Sequence, residues 1–182
     1  MRHSHVHSSI KVFKKNNIPE GVCNLIIGGR NVGEWMSADN RIPLVSATGS
    51  TRMGKAVGAV VAARLGRSLL ELGGNNAIII SKDADLDIAI LGSLFGAVGT
   101  AGQRCTTTRR LIIHEDVYET VKQKLISAYK QLKIGNPLDA QNHVGPLIDN
   151  DAVQLYQDAI EKCKAEGGNF VVEGGVLSGG GF

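Results

Sequence analysis

Two residues of this chain are typical of acyl chemistry, a cysteine and a glutamate that each lie beside glycines. Cys105 closes the stretch 99–105, and Glu71 stands just before Gly73 and Gly74. Glycines leave room for a substrate and a planar cofactor to approach closely. A thiolate attacks a carbonyl carbon, and a carboxylate then activates the water that hydrolyses the acyl-enzyme. The pair therefore indicates a nucleophile and a general base.

The neighbours of these residues suggest how each is tuned. Leucines flank Glu71 on both sides, which predicts an apolar environment for its carboxylate. Arg104 precedes Cys105, and a nearby cation favours the thiolate. Adjacent side chains of extended backbone point opposite ways, so Arg104 faces the substrate in the alternative arrangement. Backbone amides around Cys105 would supply part of an oxyanion site.

A third stretch, residues 49–54, is predicted to join a strand to a helix, where free backbone amides attract phosphate. With Lys55 it nearly completes the nucleoside triphosphate motif GxxxxGK[ST]. The last position is Ala56, which has no hydroxyl for magnesium and weakens that interpretation. A dinucleotide phosphate needs no such hydroxyl.

The elements that must position these residues alternate between strand and helix, which predicts an α/β fold with a parallel sheet. Apolar runs predict strands at 22–27, 42–45, 68–72, 77–80, 111–113 and 170–172. Helical patterns cover 10–17, 31–38, 51–65, 86–98, 116–132 and 151–166. Asp83 and Asp85 offer an N-cap for the fourth helix, and Asp116 with Glu119 forms a capping box for the fifth.

The cysteine count, the net charge and the length of the apolar runs restrict the possible partners and compartment of this protein. Cys23 and Cys163 are predicted to be core residues, and three cysteines without metal-ligand spacing indicate a reducing compartment, with no disulfide framework and no metal site. The net charge of +3 without a dense basic stripe argues against nucleic-acid binding. No apolar run reaches membrane-spanning length. A cytoplasmic protein is expected.

Taken together, the chain resembles the aldehyde dehydrogenase superfamily. Residues 48–54 match the family's cofactor motif, 71–74 its glutamate motif and 102–105 its cysteine motif. Cys105 follows Glu71 by 34 positions, as the family pattern requires. The wider stretches 71–77 and 99–107 resemble the antiquitin-like branch, whose members oxidise aminoadipate semialdehyde.

The resemblance implies part of a Rossmann-like NAD-binding domain over 1–72, followed by part of an α/β catalytic domain over 73–182. Cys105 would attack a small-molecule aldehyde to give a thiohemiacetal. Hydride would pass to NAD and leave a thioester, and water activated by Glu71 would release the acid. Arg104 would hold the carboxylate end of an amino-acid-derived substrate.

The resemblance also implies a set of cofactor contacts. The residues expected along the dinucleotide are Gly33, Glu34, Gly49, Ser50 and Gly54, with Leu72 beside the nicotinamide. One position departs from the family pattern, because Ala47 stands where a phenylalanine is usual.

Family subunits are several hundred residues long and form homo-oligomers, so the chain is expected to be a central fragment with little or no activity alone. Two alternatives stay open. In the first, the chain is a non-catalytic truncated product that docks to a full-length subunit. In the second, Cys105 works with His114 or His143 as a cysteine hydrolase.

Overall fold

The computed structural model describes residues 11–178, which form two compact units, one ending at Glu71 and one starting at Leu72. Residues 11–15 are helical, as predicted for the described part of that helix. The assignment of 1–72 to an NAD-binding domain and 73–182 to a catalytic domain stays a prediction.

Beyond the helical residues 11–15, the first unit contains two further helices and a pair of strands in its described part. Its elements are α1 (Arg30–Ala38), β1 (Leu44–Gly49), α2 (Thr51–Ala63) and β2 (Arg67–Leu72), and β1 pairs with β2. Pro43 stands just before β1, where its missing N–H costs no ladder bond, and its carbonyl accepts from the Arg67 N–H at 3.1 Å. The core centres on Val61, which is 1% exposed.

The second unit is built on two parallel strands. Its elements are β3 (Asn76–Ile80), α3 (Leu86–Val98), β4 (Thr108–Ile113), α4 (Glu115–Lys130) and α5 (Asn150–Ala165). Asp85 caps α3 by accepting from two backbone N–H groups of its first turn, as predicted. Ile80 and Val121 form the buried centre, whereas Ile79 points to the exposed face of β3.

Two predicted strands are wrong. Residues 22–27 and 170–172 lie outside every strand of the described part of the chain, and their apolar side chains are largely exposed. An apolar run becomes a strand only where a neighbouring backbone completes its hydrogen bonds. β1 and β2 pair with each other, as do β3 and β4, and neither pair includes these runs.

The predicted capping box of α4 is also wrong. His114 is the N-cap, and its Nδ1 accepts from the Asp116 N–H at 3.2 Å. Asp116 therefore lies within the first turn of the helix, where its negative charge suits the helix dipole.

Cys23 and Cys163 are exposed free thiols, so their predicted place in the core is wrong. Cys23 belongs to the unpaired run 22–27. Cys163 lies on α5, whose predicted apolar side is only partly covered, since Val153 and Ile160 are half-buried and Tyr156 is 37% exposed. Helical periodicity located the apolar side of α5 but could not show whether another element covers it.

No helix in the described part of the chain is both long enough and apolar enough to cross a membrane.

Candidate active site

The backbone makes a left-handed turn between α3 and Cys105. Thr100, Ala101 and Gly102 follow one another at φ values of 56°, 52° and +71°. Left-handed backbone costs an L-residue about 1–2 kcal/mol, and only glycine adopts it freely. The turn is therefore strained, and the N–H of Gln103 closes it by donating to the Thr100 carbonyl at 3.1 Å.

Cys105 lies in a four-residue turn that begins at Arg104 and ends at Thr107, here called the cysteine turn. The Thr107 N–H donates to the Arg104 carbonyl, and the Arg104 N–H donates to the Thr107 Oγ1, both at 3.1 Å. Thr107 is 6% exposed, so this second bond is anchored on a buried side chain. Cys105 itself is an exposed free thiol at the outer side of the turn.

Two side chains tie the cysteine turn and its approach to the rest of the unit. Asn76, at the start of β3, donates from Nδ2 to the Cys105 carbonyl at 2.7 Å and to the Thr107 carbonyl at 3.0 Å. Gln103 accepts from the Ile148 N–H at 2.9 Å through its Oε1. The thiol is exposed, but the backbone that carries it is held from two directions.

The Arg104 side chain folds back over α3. Its guanidinium carbon lies 4.9 Å from the centre of the Phe95 ring, and Nη2 donates to the Phe95 carbonyl at 3.0 Å. A side chain at Gly99 would overlap this guanidinium. The Arg104 Nε is buried and has no hydrogen-bond partner among residues 11–178. The substrate-binding role of Arg104 stays a prediction.

Glu71 lies near the end of β2, and its predicted apolar environment is wrong. Alternate residues of a strand face opposite sides, so Glu71 shares the exposed face with Leu69, while Leu70 and Leu72 are half-buried. After Leu72 the chain passes through Gly73, around which a Cβ would meet no atom within 4 Å. The carboxylate is therefore accessible to water.

The predicted phosphate-binding turn joins β1 to α2 as expected. Gly49 ends the strand, and Ser50 is the N-cap, its Oγ accepting from the Met53 N–H at 3.1 Å. Gly54 is buried in the first turn, and its N–H donates to the Ser50 carbonyl at 2.9 Å. A strand that runs into a capped helix N-terminus is a common place for phosphate groups to bind.

Gly33 and Glu34 lie on α1. The Gly33 carbonyl accepts from the Ser37 Oγ at 2.8 Å, and a Cβ at Gly33 would meet no atom within 4 Å. The Glu34 carboxylate accepts from the Arg30 Nε at 2.7 Å on the exposed side of the helix. α1 packs on α2, so both residues belong to the unit that carries the phosphate-binding turn.

The two histidines considered as partners for Cys105 are engaged elsewhere through Nδ1. His114 caps α4, and the His143 Nδ1 accepts from the Lys133 N–H at 3.0 Å. These contacts give both imidazole rings a structural role.

In the described residues, no group of three or more His, Cys, Asp or Glu side chains is arranged to hold a metal ion.

The structure therefore gathers the predicted residues into two groups. Gly49, Ser50 and Gly54 meet at one turn of the first unit, which ends at Glu71, and Arg104 and Cys105 share one turn of the second. That these two groups of residues line one pocket stays a prediction.

Sequence reasoning missed the residues that hold the cysteine turn, namely Asn76, Gln103 and Thr107. All three stand inside the stretches that carried the resemblance, and each has a polar side chain able to bond backbone. That was the available signal.

Comparison with known proteins identifies the family. Residues 6–181 match the aldehyde dehydrogenase family, and the chain belongs to it. It is 49% identical over 167 residues to the alpha-aminoadipic semialdehyde dehydrogenase of Bos taurus, which covers 92% of this chain and 31% of that protein. This similarity confirms the resemblance to the antiquitin-like branch.

Solved structures agree on the fold. An NADP-dependent enzyme of E. coli superimposes with a TM-score of 0.88 at 34% identity, covering 94% of this chain and 36% of that one. Betaine aldehyde dehydrogenase from Staphylococcus aureus in complex with NAD+ gives 0.85 at 33% identity, covering 90% and 33%. The predicted α/β class is confirmed, and the chain spans about a third of the length of the relatives it matches.

Proposed function

We propose that this chain is the part of an NAD-dependent aldehyde dehydrogenase that carries the nucleophile, Cys105, and the general base, Glu71, and that the whole enzyme oxidises aminoadipate semialdehyde. The observation that carries the proposal is an exposed thiol on a turn held from β3, in a chain of this family. The similarity to an alpha-aminoadipic semialdehyde dehydrogenase supports the substrate.

Cys105 is suited to attack. Its thiol is free and exposed, so a small aldehyde can reach the sulfur without opening the fold. The thiolate adds to the carbonyl carbon and forms a C–S bond, while the carbonyl oxygen takes the negative charge as a tetrahedral adduct. Loss of a hydride from that carbon restores the carbonyl and leaves a thioester.

Glu71 completes the reaction as a general base. Its exposed carboxylate takes a proton from water, the hydroxide equivalent adds to the thioester carbon, and the C–S bond breaks. The products are the carboxylic acid and the regenerated thiol. This role requires Glu71 and Cys105 to face the same bound substrate.

The residues of the first unit fit a dinucleotide. Ser50 caps a helix N-terminus at the end of a strand, next to Gly49 and Gly54. Glycine inside a helix costs about 1 kcal/mol relative to alanine, yet Gly33 has open space around it, which suits close approach of a ligand. A bound nicotinamide dinucleotide supplies the hydride acceptor, and Glu34 and Leu72 would contact it.

Arg104 would recognise the carboxylate of the substrate. Its planar guanidinium would bind a carboxylate through two parallel hydrogen bonds, and the buried, unpartnered Nε becomes a donor for that purpose once the side chain moves off Phe95. The Phe95 carbonyl holds Nη2 in the meantime.

The whole protein is proposed to be a cytoplasmic homo-oligomer. The three cysteines are free thiols, which suits a reducing compartment. The oligomer follows from the resemblance alone.

The test places residues 11–178 into the matching position of the Bos taurus enzyme and measures NADH formation with aminoadipate semialdehyde. Activity is expected, and Cys105→Ser should lower kcat about a thousandfold or more, because no thiol remains to form the thioester. Glu71→Gln should give one burst of NADH per site and then stop. Cys163→Ser, which removes another exposed thiol, should change nothing.

The chain by itself is expected to produce little or no NADH. Full activity of the Cys105→Ser hybrid, or strong NADH production by the 182-residue chain alone, would contradict the proposal.

A further inference from the structure

Asn76 reaches the cysteine turn from the neighbouring strand with both protons of its side-chain amide. Nδ2 lies 2.7 Å from the Cys105 carbonyl oxygen and 3.0 Å from the Thr107 carbonyl oxygen. Carbonyl oxygens only accept, so the amide must present its NH₂ group to both. One side chain therefore holds the carbonyl of the nucleophile and the carbonyl that ends its turn.

The register of the sheet places Asn76 for this contact. Asn76 pairs with Thr108, whereas the next residue, Ala77, pairs with Arg110, so β4 has an extra residue opposite this step. An irregularity of this kind bends the strand that carries the extra residue, here β4. The register places Asn76 opposite Thr108, the residue that directly follows the cysteine turn.

Local bonds close the turn but leave its orientation open. Arg104 and Thr107 bond to each other within four residues, and neither of these bonds ties the turn to β3. The Asn76 bonds cross 29 and 31 positions of the chain and fix the turn to β3. They act on the direction in which Cys105 is presented.

We infer that Asn76 is a positioning residue for the nucleophile, an inference that rests on the proposed role of Cys105. The peptide unit is planar and trans, so holding the Cys105 carbonyl toward Asn76 turns the Thr106 N–H to the opposite side. Asn76 thereby sets which side of the turn offers an N–H dipole and which offers a carbonyl. A reacting thiolate next to the turn depends on that choice.

The experiment compares Asn76→Ala and Asn76→Asp with a matched control, Asn142→Ala, in the full chain. Asn142 also donates from Nδ2 to a backbone carbonyl, that of Asn136 at 3.0 Å, and this carbonyl is not part of the cysteine turn. The first readout is hydrogen exchange at the Thr107 N–H. The second is the rate of iodoacetamide alkylation of Cys105 relative to Cys163, measured by peptide mass spectrometry in one sample.

Asn76→Ala should speed Thr107 exchange about two- to tenfold, the loss expected for one net hydrogen bond, and should shift the Cys105 to Cys163 alkylation ratio at least twofold. Asn142→Ala should change neither readout. Asn76→Asp should behave like the alanine variant at pH 7, where a carboxylate faces two carbonyl oxygens. Near pH 4 the protonated acid donates again, and Thr107 protection should return in this variant alone.

That pH profile separates a donor that positions the turn from a residue needed only for folding. An unchanged alkylation ratio in both Asn76 variants, or an aspartate variant without recovery near pH 4, would overturn the inference. Neither readout uses aldehyde or dinucleotide. An inactive hybrid enzyme would therefore contradict the proposed function without changing the exchange and alkylation results for Asn76. Unchanged exchange and alkylation in the Asn76 variants would contradict the role of Asn76 without changing the activity result.

Discussion

Within residues 11–178, each compact unit has a side chain that donates to two distant backbone carbonyls. In the first unit, the Arg64 Nε donates to the Ser37 carbonyl and Nη2 to the Ile42 carbonyl, each at 2.8 Å. In the second, Asn76 donates to the carbonyls of Cys105 and Thr107. Both contacts join segments that are more than twenty positions apart.

The Arg64 and Asn76 side chains bind carbonyls in different kinds of segment. Arg64 binds the carbonyl of Ser37 in α1 and that of Ile42 in the link between α1 and β1, so it fixes how this link leaves the helix. Those bound by Asn76 both belong to the cysteine turn. The charged Arg64 guanidinium thus stabilises the fold of the first unit, whereas the neutral Asn76 amide orients one short turn of the second. The comparison predicts that loss of Arg64 costs stability, whereas loss of Asn76 mainly changes the thiol.

The largest effect is expected from Arg64→Ala. Hydrogen bonds from a charged group contribute about 1.5–3 kcal/mol, so the variant should lower the free energy of unfolding of the first unit by about 2–3 kcal/mol. The single tryptophan, Trp35, lies on α1 and reports on this unit in urea unfolding followed by fluorescence. Arg52→Ala, an exposed change on α2, is the control. Equal losses in the two variants would remove the special role of Arg64.

An intermediate effect is expected from the glycines that flank the two proposed catalytic residues. Gly102 has a φ of +71°, so Gly102→Ala should cost about 1–2 kcal/mol of unfolding free energy. Gly73 has an ordinary φ and open space, so Gly73→Ala should stay within about 0.5 kcal/mol. All three tyrosines lie in the second unit and serve as the fluorescence probe. A costly Gly73→Ala would show that the backbone after Glu71 is as constrained as the left-handed turn at Gly102.

The smallest effect concerns acid. The Arg41 side chain bonds the Asp39 carboxylate and lowers the pKa of that carboxyl from 3.8 to about 2. Because the folded pKa is the lower one, the stabilisation is complete above pH 3.8 and is lost as the pH falls toward 2. Asp39→Asn should flatten the pH dependence of first-unit unfolding in that window.

This effect should be small because the pair is exposed on the arginine side and screened by salt. Unfolding followed through Trp35 between pH 4 and pH 2, at low and high salt, measures it. An unchanged slope in Asp39→Asn would mean that other carboxylates set the acid stability of the unit.

Local signals predicted much of the fold. The helix at 151–166 and the strands at 68–72 and 77–80 match the structure within a residue or two, because side-chain periodicity and capping act over one or two turns. The run at 22–27 failed although it is as apolar as β3. β3 has β4 beside it, and the run has no paired strand in the described residues, a difference that no local pattern contains.

In the candidate site too, local signals predicted the residues but not their surroundings. Cys105, Glu71 and the turn at Ser50 were predicted as site residues from residue type and spacing. Their surroundings were not, since strand alternation placed Glu71 on an exposed face and Arg104 folded onto Phe95.

By itself, the sequence determined which residues of this protein are candidates for chemistry and which short elements carry them, because a thiol, a carboxylate and a capped helix are properties of neighbouring residues. Only the tertiary structure decided that Asn76 holds the cysteine turn and that Arg64 joins α1 to β1. Those hydrogen bonds depend on strand register and helix placement across more than twenty residues, and such distances leave no periodic trace in the chain.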